Sequence, residues 1–140
     1  MRGFPSIAAA GALVAAAALF TMRPSGASGS LSFTAAQASA GASAFAAHCA
    51  ACHGSQLEGG AGPALSGPNF KTLSTKVKAS VSDIFGYMTM NMPLNAPASL
   101  THTQYVDILS FILSKNGYRP GPSAMTFAQA SASSAAIVKD

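Results

Sequence analysis

Two cysteines and a histidine stand within five consecutive residues, and the 140-residue chain contains no other cysteine. Their order is Cys49-Ala50-Ala51-Cys52-His53, and another histidine, His48, comes directly before them. A helical turn takes 3.6 residues, so two thiols three positions apart would project from the same side, about one turn apart. The histidine that follows would stand beside them. This motif constrains the fold most, because the rest of the chain must wrap around whatever these side chains hold.

Four kinds of site could use this pair of cysteines. A disulfide redox motif normally occurs among alternating strands and helices, and no strand pattern is visible here. A zinc site could use both cysteines with His48 and His53, but the adjacent spacing of these ligands is unusual and the loops offer no second Cys/His pair. A structural disulfide would close a loop too short to stabilise much. The Cys-x-x-Cys-His order is the attachment signature of c-type haem. We therefore predict one haem c, bound covalently through Cys49 and Cys52, with His53 as an iron ligand; the other three interpretations remain alternatives.

The start of the chain has the pattern of a secretory signal peptide. A basic residue, Arg2, is followed by an apolar run over residues 7–20 and then by small residues around Ala27. The apolar run is shorter than the roughly 20 residues that a membrane span needs. We predict that residues 1–27 are removed near Ala27 and that the mature protein is periplasmic. The alternative is a retained anchor reaching Met22, the one case in which a membrane would be a partner.

The remaining sequence predicts an all-α fold. Residues 28–120 form one expected domain, and residues 121–140 form a low-complexity, Ala/Ser-rich tail that we expect to be mobile. Capping boxes mark helix starts, and stretches rich in Gly and Pro mark loops over residues 54–70 and 91–99. The expected helices are Ala35 to Ala50, a shorter one from Ser80 to about Thr89, and one from Thr101 to about Lys115.

The charges exclude some functions. The net charge is +4, with eight basic and four acidic residues, and the small basic group of residues 71–78 is far short of a nucleic-acid footprint. No nucleic-acid partner is expected. No two carboxylates fall in one motif, and no nucleophile or general base stands out. We therefore expect no catalytic residue and no enzyme, although the chain could be a subunit of an oxidoreductase.

The residues around the motif resemble those of class I c-type cytochromes over residues 34–117. A glycine, Gly41, and an aromatic residue four positions later, Phe45, precede the cysteines as in the first helix of that family. The resemblance implies a cytochrome c-like fold of three or more helices wrapped around the haem. It also implies that Gly41 and Phe45 pack across the last helix, on Ile108 and Phe111. Finally, it implies that the carbonyl of Pro63 accepts a hydrogen bond from the haem histidine.

Three methionines, two positions apart, compete for the sixth iron position. Met92 lies in a loop directly before a proline, the setting of the ligand in the family, so the resemblance implies Met92 as the second axial ligand. Met90 is the alternative, whereas Met88 is expected to pack in the core. His48 and His102 are expected to be solvated rather than bound to iron.

Ligation by His and Met implies electron transfer. A thioether favours ferrous iron, and two filled axial positions close the iron to substrates. We therefore expect a one-electron carrier that accepts electrons from a dehydrogenase and passes them to an oxidase or another cytochrome. Residues 92–97, and the ends of the helix that follows them, look most like cytochrome modules that serve quinoprotein dehydrogenases. The alternative is a haem enzyme or ligand sensor, in which Met92 would leave the iron.

Overall fold

The computed structural model describes residues 31–139, and over these residues the protein is helical, without a strand. One isolated antiparallel bridge joins Ser80 and Ala136. The all-α fold class is therefore confirmed, whereas the predicted signal peptide lies outside the described residues. Within residues 31–139, no helix has the length and apolarity to cross a membrane. The helices are α1 (Ala35–His48), α2 (Ala50–His53), α3 (Gly67–Val77), α4 (Val81–Asn91), α5 (His102–Lys115) and α6 (Phe127–Ala132).

Local caps set the starts of the three helices that the sequence predicts. Thr34, Ser80 and Thr101 each accept a hydrogen bond from the amide three residues on, and the side chain at that third position bonds back to the cap amide. These reciprocal bonds satisfy amides that a helix start would leave unpaired. The predicted end of the first helix is wrong by two residues, because Cys49 leaves helical geometry (φ −127°, ψ −32°) and separates α1 from α2.

The core is organised by the close crossing of α1 and α5. A Cβ at Gly41 would overlap the backbone carbonyl of Asp107, so only glycine lets the two helices approach this far. One turn further on, the Phe45 and Phe111 rings pack with centroids 5.4 Å apart. Both contacts agree with the packing that the family resemblance implies. Because Phe45 is four residues before Cys49, this crossing also fixes where the attachment motif begins.

The expected loop over residues 54–70 is too long, because its last residues already belong to α3. A proline in the first turn of this helix, Pro68, favours a helix start at this point. The helix buries Phe70 and Ser74, which are four residues apart and therefore share one face. It ends at Lys78, which adopts a left-handed conformation (φ 54°).

The expectation of a mobile tail is wrong for residues 121–139. Met125, Ala130 and Ile137 are buried in the core, and the backbone amide of Ile137 donates to the carbonyl of Ala79 at 3.0 Å. The segment holds α6, whose capping box begins at Thr126 and was a readable signal. Alanine- and serine-rich composition suggested disorder, but a few apolar residues at the right positions suffice to bind the segment to the core.

Carbonyls of this segment also cap α4. The amide of Val81 donates to the carbonyl of Ala135 at 2.8 Å, and the amide of Ser82 donates to the carbonyl of Ser133 at 3.0 Å. A helix start leaves its first amides without partners inside the helix, so these bonds satisfy two of them. Residues 133–139 therefore form part of the domain that carries the methionines.

A conservative truncation of Ile137 tests this packing. Ile137→Val should lower the free energy of unfolding by about 0.5–1.5 kcal/mol, because it removes a buried methyl group. In a domain of this size, each kcal/mol shifts Tm by about 4–8 °C. The matched control is Val77→Ala on an exposed side chain (62%), which should stay within about 0.5 kcal/mol of the parent. Equal Tm values for Ile137→Val and the parent protein would contradict a packed segment.

The cap of α4 predicts a pH dependence. The hydroxyl and amide of Ser80 both donate to the Asp83 carboxylate (2.6 and 2.9 Å), and these bonds lower the pKa of Asp83. A lowered pKa adds stability above the unfolded value near 3.9, and this stability is lost as the pH falls through the folded value. The Tm of Asp83→Asn should therefore be lower than that of the parent at pH 7, and this difference in Tm should disappear at acidic pH. Thermal melts from pH 7 downward measure it.

Asp107 supplies a control of opposite sign. Burial raises the pKa of its carboxyl. At pH values above the folded pKa, the charged carboxylate therefore destabilises the folded state. Below the unfolded pKa this penalty is absent, because the carboxyl is protonated in both states. Asp107→Asn should therefore melt higher relative to the parent at pH 7 than at acidic pH. If the difference in Tm from the parent were independent of pH for each of the two variants, neither carboxyl would have the assigned surroundings.

Candidate haem site

The attachment motif occupies a break between two helices. The amide of Cys49 still donates to the carbonyl of Phe45 at 2.8 Å, while the carbonyl of Cys49 accepts bonds from Cys52 (3.1 Å) and His53 (3.0 Å). The motif therefore continues α1 for a single further turn, α2, and the two thiols are one turn apart as predicted. Both cysteines are free, Cys49 half-buried and Cys52 exposed. Two unpaired thiols on one turn suit attachment along one edge of a haem.

The two thiols differ in their surroundings. Burial, and secondarily the neighbouring Cys52, raises the pKa of the Cys49 thiol to about 11. Charging Cys49 is unfavourable because a thiolate is poorly solvated there. A thioether bond to haem is neutral and cannot titrate, so attachment is compatible with this half-buried position.

His53 is held by the segment that follows it. The imidazole is buried (8% exposed), and its Nδ1 lies 2.8 Å from the carbonyl oxygen of Pro63. A carbonyl can only accept, so Nδ1 carries a proton, and in the neutral ring Nε2 keeps its lone pair. Such a bond fixes the ring and tautomer of a metal-bound histidine. Nε2 has no hydrogen-bond partner. Because every fully buried side-chain nitrogen or oxygen among residues 31–139 has a partner, Nε2 is not fully buried and is accessible to a metal.

Backbone bonds fold residues 54–66 against the motif. The amide of Gly59 donates to the carbonyl of His53, and the amide of Gly62 donates to that of Cys52, each at 2.8 Å. These bonds satisfy carbonyls that the end of α2 would leave unpaired. A Cβ at Gly62 would lie 3.0 Å from Cε1 of His53, so a larger residue would push the ring. Gly62 thus allows the loop to lie against the histidine that its neighbour Pro63 orients.

A buried asparagine anchors the same loop from the far side. The Nδ2 group of Asn116 donates to the carbonyls of Leu65 and Ile112, both at 2.8 Å. Asn116 therefore ties the end of α5 to a point two residues beyond Pro63. This role of Asn116 was not predicted, because its partner at Leu65 is 51 residues away and leaves no local signal.

The three methionines occupy different environments. Met88 is buried in the core, Met90 is largely exposed (73%), and Met92 is half-buried at the C-cap of α4. The expectation that Met88 packs is confirmed. Met92 lies outside the helix as expected, although α4 extends to Asn91 instead of ending near Thr89. The backbone carbonyl of Met92 accepts a hydrogen bond from the hydroxyl of Tyr105 at 2.6 Å. Tyr105 is not among the site residues predicted from the sequence.

The remaining histidines lie apart from any metal cluster. His48 and His102 are exposed, as expected, and the His102 ring stacks on Phe127 with centroids 3.9 Å apart. Within the part of the chain that the structure describes, no group of three or more His, Cys, Asp or Glu side chains could hold a metal ion. The zinc interpretation of the motif therefore lacks a ligand set among these residues.

The donor set fits a haem c. Two free thiols lie one turn apart, an imidazole follows with one nitrogen fixed and the other accessible, and a thioether lies in a loop outside the helices. Cys49 and Cys52 would hold the porphyrin, and His53 and Met92 would offer nitrogen and sulfur to its iron. The haem supplies a one-electron ferric/ferrous couple.

Comparison with known proteins agrees with this chemistry. A protein-family model described as cytochrome c oxidase, cbb3-type, subunit III matches residues 36–112, which is more than half of the chain. No curated protein and no solved structure matches in the corresponding searches. The matched residues include the motif, its following loop, the methionines and most of α5. The chain therefore belongs to the family of cbb3-type cytochrome c oxidase subunit III and is a c-type cytochrome that carries a covalently bound haem c.

Proposed function

We propose that this chain is an exported, periplasmic one-electron carrier. Cys49 and Cys52 hold the haem through thioether bonds, and His53 and Met92 fill the two axial positions of the iron. The observation that carries the proposal is the 2.8 Å contact of Nδ1 of His53 with the Pro63 carbonyl. It leaves Nε2 as the free ligand atom, directly after two unpaired thiols.

The ligand set determines what the site can do. A thioether stabilises ferrous iron and raises the reduction potential relative to two histidines. With His53 and Met92 both bound, no axial position remains for a substrate, so the residues of this site support electron exchange rather than bond making. The Pro63 carbonyl, by accepting a hydrogen bond from Nδ1, would hold the His53 ring in one orientation.

The surface beside the motif suits brief contacts. Ala51, Cys52 and residues 60–61 are exposed and small, so a partner can come close to the attachment edge. Redox encounters use small interfaces. We assign a dehydrogenase as donor, most simply a quinoprotein dehydrogenase given the resemblance of residues 92–97, and an oxidase or another cytochrome as acceptor. The family to which the chain belongs is itself named for an oxidase subunit.

The domain organisation follows from the same proposal. Residues 1–27 direct export and are removed near Ala27, and residues 28–120 form the cytochrome domain. Residues 121–139 complete the core of that domain, because their buried side chains pack in the same cluster as those of α1 and α5.

The first experiment is the visible spectrum of the exported protein. Oxidised and reduced spectra are recorded before and after extraction with acidified acetone, with a Cys49→Ala/Cys52→Ala double variant as control. For the parent protein we expect a low-spin spectrum with a ferric Met–iron charge-transfer band, and haem that remains on the protein after extraction. The double variant should retain no haem. A high-spin ferric spectrum would contradict Met92 ligation and favour a haem enzyme or ligand sensor. A colourless protein would overturn the proposal, and an intact mass that includes residues 1–27 would overturn cleavage.

A further inference from the structure

A buried tyrosine on α5 contacts the backbone of Met92. Tyr105 is 3% exposed, and its hydroxyl donates a hydrogen bond of 2.6 Å to the carbonyl oxygen of Met92. A buried hydroxyl is costly unless it finds a partner. This hydroxyl therefore holds Met92 at a fixed place relative to α5.

The backbone of Met92 is held at both of its polar atoms. Its amide donates to the carbonyl of Met88 at 3.0 Å, which ties it to the last turn of α4. Its carbonyl accepts the Tyr105 hydroxyl and, at 3.3 Å, the amide of Ala98. Residues 94–99, which follow, are exposed. The Tyr105 hydroxyl thus links Met92, which precedes this exposed segment, to the buried face of α5.

We propose that Tyr105 is a positioning residue for the sixth iron ligand. Its hydroxyl fixes the Met92 carbonyl and thereby limits the positions from which the thioether can approach or leave the iron. This inference rests on the proposed ligation by Met92. It adds a residue of α5 to a site otherwise built from α2, the loop after it and the end of α4.

Loss of the hydroxyl should increase the detached state of Met92. The carbonyl would keep only the longer bond from Ala98, and removal of a hydrogen bond of ordinary strength shifts an equilibrium by about fivefold. An added ligand binds iron only where the thioether has left, so its apparent affinity rises in proportion to that population. Imidazole, which competes for the sixth position, is a suitable probe.

The test uses Tyr105→Phe in the haem-loaded protein and Tyr118→Phe as a matched control. Tyr118 also donates its hydroxyl to a backbone carbonyl, that of Ala136 at 2.5 Å, but far along the chain from Met92. Ferric protein is titrated with imidazole while the Met–iron charge-transfer band is followed. We expect the Kd of imidazole to fall about fivefold in Tyr105→Phe and to stay at the parent value in Tyr118→Phe. Thermal melts check that both variants are folded.

The outcomes separate this inference from the ligation on which it rests. A parent protein with the band and an unchanged Kd in Tyr105→Phe would overturn the role of Tyr105 and leave Met92 ligation intact. Equal falls in both variants would show general loosening of the fold and would also overturn it. A parent protein without the band would overturn Met92 ligation and this inference together.

Discussion

Met92→Ala should abolish the ferric Met–iron charge-transfer band and lower the reduction potential by more than about 59 mV, a tenfold change in a one-electron equilibrium. Replacement of the thioether by water or another weak ligand removes the preference for ferrous iron that sulfur provides. The haem should remain attached, because Cys49 and Cys52 are untouched. Spectra and redox titrations of the variant and the parent measure both effects.

Met90→Ala is the matched control for that variant. Met90 is only two residues away, but its side chain is 73% exposed, so its removal should change neither the band nor the potential. The reverse result, with the band lost only in Met90→Ala, would assign the sixth ligand to Met90. A gain of imidazole or oxygen binding in Met92→Ala without loss of biological function would instead favour a ligand sensor or enzyme.

Gly41→Ala should lower the free energy of unfolding by about 3 kcal/mol, the upper part of the usual range for overpacking. The added Cβ would overlap the Asp107 carbonyl, and backbone on both sides of the crossing cannot rotate away as a side chain can. The helices must separate, which also loosens the packing of Phe45 on Phe111 ahead of the motif. Tm should fall by at least about 12 °C.

Gly86 provides the control within the same protein. It lies inside α4, and a Cβ there would meet no atom within 4 Å. Alanine is favoured over glycine inside helices by about 0.5–1 kcal/mol, so Gly86→Ala should raise Tm slightly. Thermal melts of the two variants in parallel give the comparison. A fall of similar size in both would contradict the helix crossing as the cause, whereas opposite signs would support it.

The features that could be predicted from the sequence depend on neighbours in the chain. The capping boxes at Thr34, Ser80 and Thr101 use side chains three residues apart, and the predicted helix starts are correct. The attachment motif is equally local, and the family match over residues 36–112 bears out the haem c that it predicts. The assignments of Pro63 and Met92 come from resemblance and stay predictions about the iron.

The features that were missed depend on distant partners. The Asn116–Leu65 bond spans 51 residues, and the Tyr105–Met92 bond joins two elements through a backbone carbonyl, which any residue type would offer. The tail error has a similar cause. Composition measures average preference, whereas the burial of Ile137 depends on core residues that are distant in the chain. Pro68 alone indicated the start of α3, whereas the Gly- and Pro-rich composition of residues 54–70 predicted a loop.

The bonds between Gln37 and Met125 can form only after most of the chain has been synthesised. The side-chain amide of Gln37 donates to the carbonyl of Met125 and its oxygen accepts from the amide, both at 2.9 Å and across 88 residues. A chain is synthesised from its N-terminal end, so both cysteines emerge well before the residues that close the core. Such long-range closure is slow. We therefore expect both cysteines to lie on an open chain until the residues around Met125 reach the core.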